Sequence, residues 1–154
     1  MLNVVLFQPE IPHNTGAIGR LCLATNARLH LIKPLGFSLE DKQLKRAGLD
    51  YWREVNVQVW VTWEGLWADM PAEAGVYFIE CQGEHTYWEA DLTAAEIYLV
   101  FGPETRGIPT SVIEPERCLR IPMQGTRSLN LATAAGIVMY EALRQRQCLA
   151  GNGE

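Results

Sequence analysis

Three short stretches hold most of the residues whose types and spacing could do chemistry. "PEIPHNTGAIGRLC" (residues 9–22) offers Asn14 and Arg20. "FGPETRGIP" (101–109) sets Glu104 close to Arg106. "RIPMQGTRSLNLATAAGIVMYEALRQ" (120–145) offers Ser128 and Asn130. Each joins a strand end or loop to a helix, and each mixes Gly or Pro with a few polar side chains. Three such loops at the same edge of a sheet form a cleft. The chemistry is not phosphate binding of a familiar kind. There is no G-x-x-x-x-G-K-[ST], and the first apolar run is not followed by G-x-G-x-x-G.

Each of these residues also has a plain structural reading. Asn14 is suited to cap a helix running to about Asn26, and Ser128 or Asn130 to cap the last helix. Arg20 falls opposite the apolar face of its helix and can be a solvated arginine. Glu104 and Arg106 can form a surface ion pair of small energetic value. Gly16 and Gly19 lie inside a predicted helix, where each costs about 1 kcal/mol relative to alanine. Either something approaches that helix closely, or it packs tightly.

The elements that must position these residues alternate. Leu2–Phe7 (LNVVLF) reads as a β-branched-rich first strand. Residues 29–32, 57–61, 76–80, 97–101 and 118–121 read as further strands. Helices are expected from Asn14, over "LEDKQLKRAG" with Ser38 as cap and Gly48 as stop, over 63–70 ended by Pro71, and from about Ser128 to Gln145. Ile18, Leu21, Cys22 and Thr25 share the face that should meet the sheet. Strands alternating with helices imply an α/β fold, a mostly parallel sheet with helices on both faces. The last helix is apolar on two sides. Leu131, Ala134, Ala135, Val138 and Ala142 form one stripe; Leu129, Gly136, Ile137, Tyr140 and Leu143 form the other. A second subunit or the protein's own core can cover the second stripe.

The whole chain sets outer bounds. Its 154 residues suit one domain, and 48% hydrophobic with 20% charged residues is an ordinary globular profile. No apolar run reaches membrane-spanning length and no leader pattern opens the chain, so a cytoplasmic protein without membrane contact is expected. Cys22, Cys81, Cys118 and Cys148 form no C-x-x-C pair, and His13, His30 and His85 show no ligand spacing. Reduced thiols and no metal site are expected. A net charge of −5 argues against coating nucleic acid non-specifically but leaves room for a basic patch. Lys42, Lys45 and Arg46 form the best such cluster, with Arg127 and Arg144 as weaker candidates. A solvated helix face explains the cluster equally well. Only "AGNGE" at the C-terminus reads as a frayed tail. On these observations alone, a generic α/β nucleotide binder is the reading.

In order and content, the three segments resemble the three motifs of the SPOUT superfamily of RNA methyltransferases. More narrowly they are similar to its TrmL (YibK) group. The resemblance runs from "LNVVLFQPEIPHNTG" to "VMYEALRQ" and includes "DKQLKRAGLDYW". "PETRGIP" with "RIPM" and "RSLNLATA" is specific as a combination, though each alone is weak.

The resemblance implies an S-adenosylmethionine-dependent enzyme that methylates the ribose 2′-hydroxyl of the wobble nucleotide of tRNA. That nucleotide would be a cytidine or a 5-carboxymethylaminomethyluridine in tRNA(Leu) isoacceptors, held by the anticodon stem-loop. It implies a single domain over 1–154 whose C-terminal segment forms a deep trefoil knot, and a homodimer through the first and last helices. The implied donor pocket comprises Ile79, Gly102, Ile121, Met123, Ser128 and Leu129. The implied catalytic and substrate-placing residues are Asn14, Arg20, Glu104, Ser128 and Asn130, with Lys42, Lys45, Arg46 and Arg127 as RNA contacts. The resemblance assigns Arg20 as general base, but a guanidinium pKa above about 12 makes neutral arginine scarce. Holding RNA and stabilising a developing alkoxide is the alternative role. Related activities on another RNA site, or a catalytically silent RNA-binding factor, fit the same fold.

Overall fold

β1 (Leu2–Phe7) and β6 (Ile97–Phe101) are apolar runs interrupted only at Asn3, and every residue of both is buried. Strands buried on both faces belong in the middle of a parallel sheet. A computed structural model, which describes residues 1–150, places them there. The remaining strands are β2 (Arg28–Ile32), β3 (Val57–Trp60), β4 (Gly75–Ile79), β5 (His85–Thr86) and β7 (Cys118–Arg120). The seven-stranded sheet has the order β3-β2-β1-β6-β4-β7-β5. Every pairing is parallel.

Side chains alternate across this sheet. Val4, Leu6, Leu29, Leu31 and Leu99 face α1 (Pro12–Thr25) and α4 (Leu131–Ala150), where Ile18, Cys22, Ala135, Val138, Met139 and Ala142 close the core. Val5, Phe7, Phe78, Tyr98 and Val100 face the other way, toward Trp63 and Leu66 of α3 (Trp63–Asp69). Helices therefore cover both faces, as the alternation of elements predicts. α2 (Lys42–Ala47) packs on α1 rather than on the sheet.

That packing accounts for the two glycines in α1. A Cβ at Gly16 would lie 2.2 Å from the Leu44 carbonyl oxygen, and one at Gly19 would lie 2.5 Å from the Trp52 ring. The close approach is made by residues 42–54 of the same chain.

Several boundaries differ from the sequence reading. α1 starts at Pro12, which is pre-set for the first helical turn, and its N-cap is Ile11. Asn14 lies inside that first turn and is not the cap. Asp41, not Ser38, caps the short α2 by accepting from Gln43 N (2.7 Å) and Leu44 N (3.4 Å). Ser38 instead accepts from Glu40 N at 3.1 Å, a local turn that holds residues 38–41 out of the helix. Beyond Gly48 the chain continues as a 3-10 turn, Leu49–Glu54. β5 has no sequence signature and is two residues long. α4 starts at Leu131, later than Ser128, because Asn130 accepts from Ala132 N (3.0 Å) and Thr133 N (3.2 Å) and so fixes the cap.

On α4 the first apolar stripe is sunk in the core only at Ala135, Val138 and Ala142, joined by Met139. On the second side Gly136, Ile137 and Leu143 are half-buried and Tyr140 is 53% exposed. Among the described residues Cys22, Cys81 and Cys118 are free thiols, and burial pushes Cys22 up to about 12. The side chain of Cys148 and the tail 151–154 lie outside the described residues. No described helix is long and apolar enough to cross a membrane.

Candidate active site

A cleft of about 470 Å³ opens at the C-terminal ends of β4, β6 and β7, a volume suited to a nucleoside-sized ligand. In open α/β sheets ligands gather at that edge. The cleft brings together all three segments singled out in the sequence. Ile79 comes from the end of β4, Gly102 and Glu104 from the loop after β6, and Ile121, Met123, Ser128, Leu129 and Asn130 from the connection between β7 and α4. Asn14 enters from the first turn of α1. All six residues expected at a donor pocket line this cleft, as do four of the five expected at a catalytic centre.

A chain of side-chain hydrogen bonds links the segments. Asn130 Nδ2 donates to Asn14 Oδ1 at 3.0 Å, and Asn14 Nδ2 faces Glu104 Oε1 at 3.5 Å. Asn14 is buried, so its polar atoms need these partners. Asn130 is thus both the cap of α4 and the partner of Asn14. The two readings of it are compatible, because the cap uses its carbonyl oxygen and the link uses its amide nitrogen.

Glu104 does not pair with Arg106. Its carboxylate turns to the loop before α1 and accepts from Glu10 N (2.8 Å) and Ile11 N (3.0 Å). These backbone donors sit at the start of a helix, where a negative charge is favourable. Glu10 returns the exchange, accepting from Thr105 N (3.1 Å) and Thr105 Oγ1 (2.8 Å). Those two bonds from Thr105 hold the Glu10 carboxyl below its usual range. The loops after the adjacent strands β1 and β6 are clasped by a reciprocal pair of glutamates. Arg106 is exposed and reaches Gln8 Oε1 at 3.5 Å.

The clasp has a sequence signature in a short repeat that the three motifs do not single out. Phe7-Gln8-Pro9-Glu10 and Phe101-Gly102-Pro103-Glu104 share the pattern F-x-P-E. Glu80 lies outside the three motifs. It follows β4, lines the cleft, and accepts from Ile108 N at 2.6 Å. Burial raises its pKa, and the Ile108 N–H acts in the opposite direction. A single carboxylate after a strand has no distinctive pattern, so only the fold could bring it forward.

Other assigned residues lie elsewhere. Arg20 is exposed on α1 and does not line the cleft. Lys42, Lys45 and Arg46 are exposed on α2, and Lys45 pairs with Glu40 at 2.7 Å. Arg127 is exposed in the connection that leads to α4.

Comparison with known proteins gives the family. Residues 1–140 match the model of the SpoU rRNA methylase family. The chain belongs to the SpoU methylase family. It is 48% identical over 149 residues to a tRNA (cytidine(34)-2′-O)-methyltransferase of Methylovorus glucosotrophus (strain SIP3-4), covering 94% of this chain and 96% of that one. A solved structure from work on "the 2-OH methylation of C/U34 on tRNA" superposes with a TM-score of 0.90 at 45% identity, covering 98% of this chain and 97% of that one. The SpoU methyltransferase AviRb from Streptomyces viridochromogenes, solved in complex with the cofactor AdoMet, gives a TM-score of 0.84 at 25% identity. There the match covers 96% of this chain and 61% of that chain.

Proposed function

We propose that this SpoU-family protein is an S-adenosylmethionine-dependent methyltransferase acting on the ribose 2′-hydroxyl of tRNA nucleotide 34, the wobble position. The carrying observation is the joining of three distant segments at one cleft by Asn14, Glu104 and Asn130. Relatives of nearly equal length and 45–48% identity, named for this reaction, support the reading. The substrate would be presented by the anticodon stem-loop of tRNA(Leu) isoacceptors, with cytidine or 5-carboxymethylaminomethyluridine at the target.

The cleft fits the proposed donor. Its walls combine apolar side chains and loop backbone with a few polar groups, and among the described residues Arg106 is the only Lys or Arg that lines it. Gly102 lets the following loop fold close, since a Cβ there would lie 2.9 Å from Ile108 N. Such a site suits an adenosine with no phosphate. When bound, S-adenosylmethionine supplies an electrophilic methyl group on a cationic sulfur. Ile79, Gly102, Ile121, Met123, Ser128 and Leu129 would hold it. Asn14 and Asn130, fixed by their mutual bond, would orient the ribose at the cleft mouth, while Glu104 fixes the loop that frames it. The 2′-hydroxyl proton leaves to solvent or a nearby acceptor. Arg20 stabilises the developing alkoxide rather than accepting the proton.

Arg20 lies outside its own chain's cleft, so this role requires a second copy. We assign a homodimer through α1 and α4, which would cover the half-buried second side of α4. The chain path supports a deep knot. β6 leaves the centre of the sheet, the chain returns as β7 beyond β4, and α4 then comes back against β1 and β6. A single cytoplasmic domain over 1–154 completes the reading.

Incubation with labelled S-adenosylmethionine and total tRNA, followed by mapping of the methylated nucleotide, tests the proposal. Label at the 2′-oxygen of nucleotide 34 is expected. Label confined to another position, or no transfer, would overturn it.

A further inference from the structure

Two carboxylates line the cleft, and they differ in what their oxygens do. Both oxygens of Glu104 already accept hydrogen bonds from the loop before α1. Glu80 uses only Oε1, toward Ile108 N. An ionised carboxylate has about four acceptor sites, so Glu80 retains unused capacity. Among the described residues no Lys or Arg forms an ion pair with it.

Its surroundings make that capacity significant. Glu80 stands at the C-terminal edge of β4, its own N–H bonded to Leu119 O at 2.9 Å. It lines both the main cleft and an adjoining pocket of about 360 Å³ that Cys81 and Ile108 also line. The neighbouring Gly107 presents bare backbone: a Cβ there would meet the Glu80 carboxylate at 3.4 Å. The carboxylate is half-buried, and burial disfavours its charge. A desolvated acceptor beside an apolar nucleoside slot is satisfied by hydroxyl donors. A ribose carries two adjacent hydroxyls, matched to the two oxygens of one carboxylate. An acidic residue beyond a strand end is a recurrent way to hold such a group.

We propose that Glu80 is the ribose-recognition residue of the donor site, accepting hydrogen bonds from the vicinal hydroxyls of the bound adenosine. This rests on the cleft being the S-adenosylmethionine site. It adds a carboxylate to a donor pocket otherwise assigned to Ser128, backbone and apolar groups.

Calorimetric titration separates the cases. The ligands are S-adenosylhomocysteine, 5′-methylthioadenosine, which lacks the amino-acid part, and 2′-deoxy-5′-methylthioadenosine. Wild type is expected to bind the first two and to lose about tenfold in affinity for the deoxy compound, the scale of a charge-assisted hydrogen bond. Glu80→Gln is expected to weaken the first two ligands by a similar factor and to discriminate little against the deoxy compound. Three results would overturn the inference. Equal wild-type affinity for methylthioadenosine and its deoxy form would do so without any variant. Weakened S-adenosylhomocysteine binding with unchanged methylthioadenosine binding would assign the carboxylate to the ammonium group instead. Unchanged affinities with lowered thermal stability would make Glu80 only a tie to Ile108. Failure of wild type to bind either parent ligand would remove the donor-site reading itself, and this inference with it.

Discussion

Asn130 and Asn14 are 116 residues apart in sequence, yet Asn130 Nδ2 donates to Asn14 Oδ1 at 3.0 Å. The bond ties the start of α4 to the first turn of α1, and the same Asn130 caps α4 through its oxygen. Cap and link can therefore be separated. Asn130→Ser keeps a good cap and removes the amide donor. We expect unfolding stability to fall by about 1–3 kcal/mol, because buried Asn14 Oδ1 loses its donor while the cap is kept. Turnover should fall about 100-fold, because substrate placement tolerates little displacement. Denaturant unfolding and a tRNA methylation assay on the same preparation check both halves.

The glutamate clasp makes an energetic prediction. Glu104→Ala leaves Glu10 N and Ile11 N without their acceptor, and should cost about 1–3 kcal/mol. Glu10 and Glu104 bind each other's loops, so their effects should not add. A double-mutant cycle over Glu10→Ala and Glu104→Ala should return a coupling of about 0.5–3 kcal/mol. Additive losses would mean that the loops hold their positions independently.

The sheet and its order of elements were legible because the signals are local. β1 and β6 are apolar runs broken only by Asn3, and Ile18 with Cys22 marks the buried face of α1 at helical spacing. The site was legible only through its motifs and their resemblance. Caps failed where two candidates competed. Asn14 lost to Pro12, which starts the helix earlier, and Ser38 lost to Asp41. The Glu104 partners, the role of Glu80 and the closeness of Asn14 to Asn130 are long-range facts. They depend on strand order, which puts β6 between β1 and β4, and no local spacing encodes that.

A buried histidine predicts acid sensitivity. His30 Nδ1 accepts from Trp60 Nε1 at 3.1 Å, so its proton sits on Nε2, 2.9 Å from Asn3 Oδ1. Burial lowers its pKa to about 4, with Arg28 acting in the same direction and Asp69 and Glu96 opposing. The unfolded chain titrates near 6.5, so between these values the unfolded state binds the extra proton. Stability is therefore full above about pH 6.5 and falls as pH drops toward about 4, by roughly 3 kcal/mol in total. Urea midpoints measured across this range for wild type and His30→Gln should converge at acid pH. Parallel curves would assign the acid loss to other groups.

The basic face of α2 can be tested by salt. Lys42→Glu with Lys45→Glu should weaken tRNA binding and flatten its dependence on salt concentration, because fewer counterions are released. Both side chains are exposed, so the fold should be unaffected. Binding isotherms at several salt concentrations give the slope directly. An unchanged slope would place the RNA on another face.

Arg20 supplies the test that joins mechanism to assembly. It is exposed on α1 and absent from its own cleft, while Asn130 lines that cleft. If Arg20 serves a partner's cleft, Arg20→Ala should abolish turnover and leave S-adenosylhomocysteine binding nearly unchanged. Asn130→Ser damages the cleft of its own chain. Co-expressed Arg20→Ala and Asn130→Ser chains would then form mixed dimers with one doubly damaged site and one intact site. Random pairing makes half the dimers mixed, so activity should recover to about one quarter of wild type. If Arg20 acts within its own chain, every site in every dimer carries a lesion. Activity of the mixture would then stay at the level of the single variants, and the shared-site dimer would be excluded.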